Sequence, residues 1–175
     1  MSKLIDELIG DVLKKEGGYV NHQADKGGAT KYGITIKTLE AWRGKDLTPH
    51  DVERMSSQEA RDIYHRLYYL NPNINTLPEA LQPIVFDMAV NHGCNRAVKI
   101  AQKVFNKMGK PIKIDGSIGA GTVASAKAAL NVYGKEVVIN IVYARIQFYK
   151  DLVFTNPSQS VFLAGWINRA ESFLT

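Results

Sequence analysis

Residues 16–35 read EGGYVNHQADKGGATKYGIT, and they interrupt the pattern of the surrounding chain. Before them, Leu4, Ile5, Leu8, Ile9, Val12 and Leu13 recur at the spacing of one face of an amphipathic helix. Gly17-Gly18 ends that helix, because glycine accepts the left-handed conformation that closes a helix without steric cost. The stretch holds five glycines, with Glu16 and Asp25 nine positions apart. Gly27-Gly28 permits a tight turn, and ATKYGIT (29–35) reads as an extended segment after it. Thr35 then caps a short helix carrying Ile36, Leu39 and Trp42. The fold class this predicts is all-α, with a small β-hairpin or extended loop inserted after the first helix.

Outward from this stretch the chain is punctuated helix by helix. Thr48-Pro49 is a cap followed by proline at the first helical position. Ser56 and Glu59 form a capping-box pattern ahead of Ile63, Tyr64, Leu67 and Tyr68, and Asn71-Pro72 ends that run. Pro78 opens a helix with Leu81, Ile84, Val85 and Met88 on one face and Gly93 past its end. Asn95 starts another, with Ala97, Ile100, Ala101, Val104, Phe105 and Met108, stopped by Gly109. KPIKIDGSIGAGT (110–122) is a second glycine-rich loop, and Thr122 starts a short alanine-rich helix. Residues 134–155 read as one long helix. Their VVINIV core resembles a strand, but the flanks continue the helical period. Asn156-Pro157 breaks it before a final helix in which Phe162, Trp166 and Phe173 read as core. A soft boundary near Gly93–Asn95 divides the chain into 1–94 and 95–175, expected to pack as one compact unit.

The bulk numbers narrow the function classes. At 175 residues, 45% hydrophobic and 22% charged, the composition is that of a soluble globular protein. No apolar run approaches the ~20 residues that span a bilayer, so stable membrane insertion is not expected. The first residues carry acids among the apolar positions and read as a helix and not as a signal peptide. Cys94 is the only cysteine, which excludes an intrachain disulfide and reads as a small buried thiol. His22, Asp25, His50 and His92 match no compact zinc pattern, so neither metal nor other cofactor is expected. The net charge of +5 suits an anionic partner. The Lys and Arg residues are dispersed, however, and no helix clusters them with Asn or Gln, which speaks against a nucleic-acid binder.

Glu16 ends a helix, where the negative pole disfavours a carboxylate by ~0.3–1 kcal/mol at the surface, too little by itself to keep the acid protonated near neutral pH. Burial in a cleft would supply the rest. A glutamate so placed is a candidate general acid. The glycines can turn the chain back so that Asp25 and Thr30 approach Glu16. Paired carboxylates of unequal environment are what glycoside hydrolysis uses, one protonating the leaving oxygen and the other placing water or steadying the sugar cation. Structural alternatives stand beside these roles: an Asx turn for Asp25 and a turn hydrogen bond for Thr30. Tyr19, Asn21, Tyr32 and Asn91 are candidate substrate contacts. Asn91 shares a helix face with Asp87, so it is also a candidate brace.

EGGYVN, then D-x-G-G-x-T, then KYGIT resembles glycoside hydrolase family 108, N-acetylmuramidases of phages and bacteria. The order Glu, Asp, Thr also resembles the active-site triad of the bacteriophage lysozymes, with the same Glu-to-Asp interval and an Asp-to-Thr interval one residue shorter. FDMAVNHGCNRAVKIAQK (86–103) and FLAGWINR (162–169) look like the same family. IDGSIGAGTVASA (114–126) looks like the predicted peptidoglycan-binding region that follows its catalytic part. The resemblance implies a lysozyme-like fold in 1–94 and a peptidoglycan-binding region in 95–175. It also implies cleavage of the β-1,4 bond between N-acetylmuramic acid and N-acetylglucosamine, with Glu16 as the acid. A monomer acting on glycan strands is expected, made in a host cytoplasm as an endolysin and released by a holin or similar pore. The competing readings are a lytic transglycosylase and a non-catalytic peptidoglycan-binding module.

Overall fold

The computed structural model describes residues 3–21 and 28–174. Among them are nine α-helices and one two-stranded antiparallel sheet, so the protein is mainly α with a small hairpin. The chain divides into two compact units, Met1–Tyr68 and Tyr69–Thr175.

In the first unit, α1 (Lys3–Glu16) buries Ile5, Ile9, Val12 and Leu13, while Leu4 stays half exposed at the stripe's edge. Strands β1 (Thr30–Lys31) and β2 (Ile34–Thr35) pair with Thr30 opposite Thr35 and Lys31 opposite Ile34. Next come α2 (Ile36–Arg43), α3 (Pro49–Glu53) and α4 (Ser57–Ile63). The caps form as their residue types dictate. Thr35 accepts from the Thr38 amide at 3.3 Å and Ser56 from the Glu59 amide at 3.1 Å. The Glu59 carboxylate takes the Arg43 guanidinium in a two-pronged pair at 2.8 and 2.7 Å, joining α4 to α2. Arg61 of α4 pairs with Asp6 of α1 at 2.9 Å.

The periodic run at 63–68 predicts a continuing α-helix. The backbone instead winds as a π-helix over Tyr64–Leu70, and the division between the two units falls within it. Wider winding changes which side each following residue faces, which a 3.6-residue pattern does not report.

The second unit is helical throughout. It holds α5 (Gln82–His92), α6 (Cys94–Met108), α7 (Ala120–Tyr133), α8 (Glu136–Thr155) and α9 (Ser160–Glu171). The β-branched stretch of α8 is helix, with Val137, Ile141, Val142 and Ile146 buried. Burial raises the pKa of the Cys94 thiol, so at neutral pH it is a protonated, weakly reactive group. One expectation is corrected here. Phe162 is 57% exposed, and Trp166 and Phe173 are only half buried, so the aromatic face of α9 is not fully in the core. Trp166 stacks on Tyr149 of α8, while Phe162 at the start of the helix stays open.

Candidate active site

Glu16 is the last residue of α1, and its side chain is exposed. Gly17 closes the helix with φ +56°, its amide donating to the Leu13 carbonyl at 3.1 Å. Three residues on, Val20 and Thr30 exchange both backbone hydrogen bonds at 2.9 and 2.8 Å. The chain leaving Glu16 is therefore stitched alongside β1, and the hairpin is held beside the end of α1.

The hairpin turn is Tyr32–Gly33, with φ +52° and +74°. Two successive positive φ values are those of a type I′ turn, which matches the twist of paired strands. Glycine adopts this freely, but tyrosine does so at a cost. Two contacts hold Tyr32 in place. The Tyr64 hydroxyl donates to its carbonyl at 2.8 Å. The Lys31 ammonium lies 5.3 Å from its ring centroid. The same ammonium anchors β1 by donating to the carbonyls of Glu53 and Met55 at 2.5 and 2.9 Å.

Gly33 marks where the acid meets the turn. A Cβ built on it would lie 3.1 Å from Glu16 Cγ and 2.7 Å from the Tyr64 hydroxyl. The stem of Glu16 thus lies across the turn while its carboxyl reaches solvent. That arrangement differs from the burial considered from the sequence, because the loop backbone, with no side chain at Gly33, is what packs on the glutamate.

The other candidates are placed as follows. Thr30 is half buried and its hydroxyl donates to the Gly28 carbonyl at 3.2 Å. Its proton is engaged in the turn, and its oxygen keeps acceptor capacity. Tyr19 is half buried and Asn21 exposed, on the strand-like return from Glu16 to Val20. Asp25 and His22 lie outside the described residues. Asn91 belongs to the second unit, where its amide donates to the Asp87 carbonyl at 2.6 Å and carboxylate at 3.2 Å, the bracing arrangement.

The sequence reading took Tyr64 only as a face residue of its helix and passed over Lys31 and Gly33. A legible signal was Y-G between β-forming residues, a possible two-residue turn. It also missed a buried ionic cluster in the second unit. Asp87, 6% exposed, accepts from Arg145 at 2.6 Å and from Arg169 at 2.7 Å. A lone acid in the otherwise apolar PIVFDMAV signals that a buried cation must meet it.

Residues 9–93 match the Glycosyl hydrolase 108 family, and residues 96–171 match the Predicted Peptidoglycan domain. Among solved structures, SagA of Brucella abortus superposes with a TM-score of 0.72. It shares 31% identity over 97% of this chain and 94% of that one. No curated protein sequence matches the chain. The two family matches together define a peptidoglycan hydrolase of lysozyme-like type. The chain belongs to the glycosyl hydrolase 108 family.

Proposed function

We propose that the protein is an N-acetylmuramidase, hydrolysing the β-1,4 bond between N-acetylmuramic acid and N-acetylglucosamine with Glu16 as general acid. The observation that carries this reading is Glu16 itself, an exposed carboxyl whose stem is pinned across the Tyr32–Gly33 turn. In the proposed reaction Glu16 gives its proton to the glycosidic oxygen as the bond to the anomeric carbon breaks. Asp25 places the attacking water or steadies the positive charge developing on the sugar. The Thr30 oxygen accepts from that water. Tyr19, Asn21 and Tyr32, on the segments flanking Glu16, contact the glycan.

The test is a digest of purified peptidoglycan by wild type and Glu16→Gln, with products reduced by borohydride and read by mass spectrometry. Reduced muramic acid ends from wild type, falling by about 10²–10⁴-fold in the variant, are the expected result. Anhydro-muramic ends would replace the muramidase by a transglycosylase, and reduced glucosamine ends by a glucosaminidase. An Asp25→Asn variant with full activity would remove the second carboxylate from the mechanism.

The reading extends to an endolysin acting as a monomer, its net charge of +5 drawing it to the anionic wall. Co-expression with a holin should lyse a bacterial culture, whereas expression alone should not.

A further inference from the structure

A groove of about 560 Å³ runs between α6 and α8 in the second unit. Its α8 wall is Asn140, Tyr143, Ala144, Gln147, Phe148 and Asp151. These are positions i, i+3, i+4, i+7, i+8 and i+11 of one helix face, about 16 Å long at ~1.5 Å per residue. On the α6 side Ile100, Lys103, Val104, Lys107 and Met108 repeat the same intervals. Two helix faces thus flank a trough roughly three turns long. Ile100 and Val104 are its buried floor, whereas Tyr143 is 60% and Ile114 37% exposed along it. Apolar side chains left open on a concave face mark a surface built to be covered.

The charge beside the trough says what covers it. The cations are dispersed in the sequence, yet on α6 Arg96, Lys99, Lys103 and Lys107 follow one another at intervals of three and four, and this helix carries no acid. All four are exposed. Among the described residues, Lys99, Lys103 and Lys107 have no carboxylate partner. On the opposite wall Asp151 is occupied, accepting from the Gln147 amide at 2.7 Å. An apolar trough with a cationic edge suits an anionic partner that carries an apolar stripe. A lipid surface is entered by protruding side chains, and this face is concave. A nucleic acid or polyphosphate would use the lysines and leave the apolar floor uncovered. A glycan would find few hydrogen-bond partners among Val104, Met108, Ile114 and Ala144. A second copy offers the wrong surface, since α1, its most acidic helix, has its apolar stripe buried. A third helix laid along two others meets both the shape and the charge.

We propose that the groove between α6 and α8 docks an acidic amphipathic helix of a partner protein. The helix is roughly three turns long, with apolar residues at i, i+3, i+4 and i+7. Those residues pack on Val104, Met108, Ala144 and Phe148 and against the Tyr143 ring, while acids along one flank meet Lys103 and Lys107. The lysines then form the charged rim that steers and orients the partner, and the apolar floor supplies the centre of the contact. The inference is independent of Glu16 as the acid.

The experiment is a ¹H–¹⁵N NMR titration of the full-length protein with a defined probe, a peptide of about 14 residues with leucines at that spacing and glutamates and alanines elsewhere. Saturable shifts confined to 100–114 and 140–151 are expected. A scrambled peptide of the same composition, and one with lysine in place of glutamate, should each bind at least about tenfold more weakly. Lys103→Glu combined with Lys107→Glu should lower the affinity for the acidic peptide about tenfold and raise that for the lysine peptide, a reversal that loss of folding cannot produce. Tyr143→Ser, a change at an exposed ring, should weaken the acidic peptide severalfold. No shift in the groove, or equal binding of the scrambled peptide, would overturn the proposal. So would the same shifts produced at like concentration by phosphatidylglycerol vesicles, polyphosphate or soluble muropeptides, which would give the groove to those ligands. Shifts of these residues on raising the protein concentration alone would replace the partner by a second copy of the chain.

Discussion

Gly33 has a Glu16 methylene on one side and the Tyr64 hydroxyl on the other, and its φ is +74°. Alanine there meets both obstacles, a crowded Cβ and a left-handed backbone. Gly33→Ala should cost roughly 1–3 kcal/mol of stability and displace Glu16, so peptidoglycan turnover should fall further than thermal unfolding alone accounts for. A matched pair of melting curves and digests on the same preparation checks this. A variant as active and stable as wild type would show that the turn does not hold the acid. Tyr64 acts on the same turn from the other side, with 3% of its surface exposed and its hydroxyl on the Tyr32 carbonyl. Removing that hydroxyl in Tyr64→Phe should cost about 1 kcal/mol and lower kcat with little change in protein content of helix by circular dichroism.

At the level of secondary structure, the second glycine-rich loop is organised by one side chain of α6. Gln102, 0% exposed, donates to the Asp115 carboxylate, the Ser117 carbonyl and the Thr122 hydroxyl, and accepts from the Gly116 amide at 2.8 Å. Both ends of the carboxamide are used, so the loop between α6 and α7 is fixed by a residue that the helical period places on a buried face. Gln102→Leu keeps the volume and strands those partners. A loss of roughly 2–3 kcal/mol in urea unfolding is expected, together with faster amide exchange across 114–118. Unchanged exchange there would mean the loop holds itself. The π-helical run at Tyr64–Leu70 belongs to the same level. Its apolar spacing fits an α-helix equally well, so its winding was not legible from the sequence.

Across the second unit, Asp87 of α5 joins α8 and α9 by holding Arg145 and Arg169. Arg145 is fully buried and has the Tyr149 hydroxyl as a further partner at 2.8 Å. Asp87→Asn leaves the guanidiniums without a countercharge and should destabilise by about 3–5 kcal/mol, with partial recovery when Arg145→Met removes one of them. Chemical denaturation of the single and double variants measures both. His92, beside this cluster, sets an acid limit on stability. Its folded pKa is lowered from 6.5 to about 4, first by burial and then by Arg145, with Asp87 opposing. The unfolded chain therefore takes up the proton first, and stability falls as pH drops from about 6.5 to about 4. The full loss corresponds to about 3 kcal/mol, and less where solvent screens the ring. His92→Phe should flatten the pH dependence in that window, and an unchanged acid limb would assign it to other groups.

The helices, their stops and the glycine-rich interruption were legible in the chain because each is a local matter. Apolar spacing sets a helix face, Thr35 and Ser56 satisfy amides a few residues away, and Gly17 accepts a backbone that other residues resist. Glu16 could be singled out for the same reason, since its position at a helix end before two glycines is written in adjacent letters. Contacts between distant residues were not legible. That Tyr64 reaches Tyr32, that Gly33 must stay bare for Glu16, and that Arg145 and Arg169 meet Asp87 depend on separations of 17 to 82 positions closed by packing. Periodicity records which face of an element is buried and not which partner buries it. The turn that holds the acid, and the groove between α6 and α8, exist only once those faces have met.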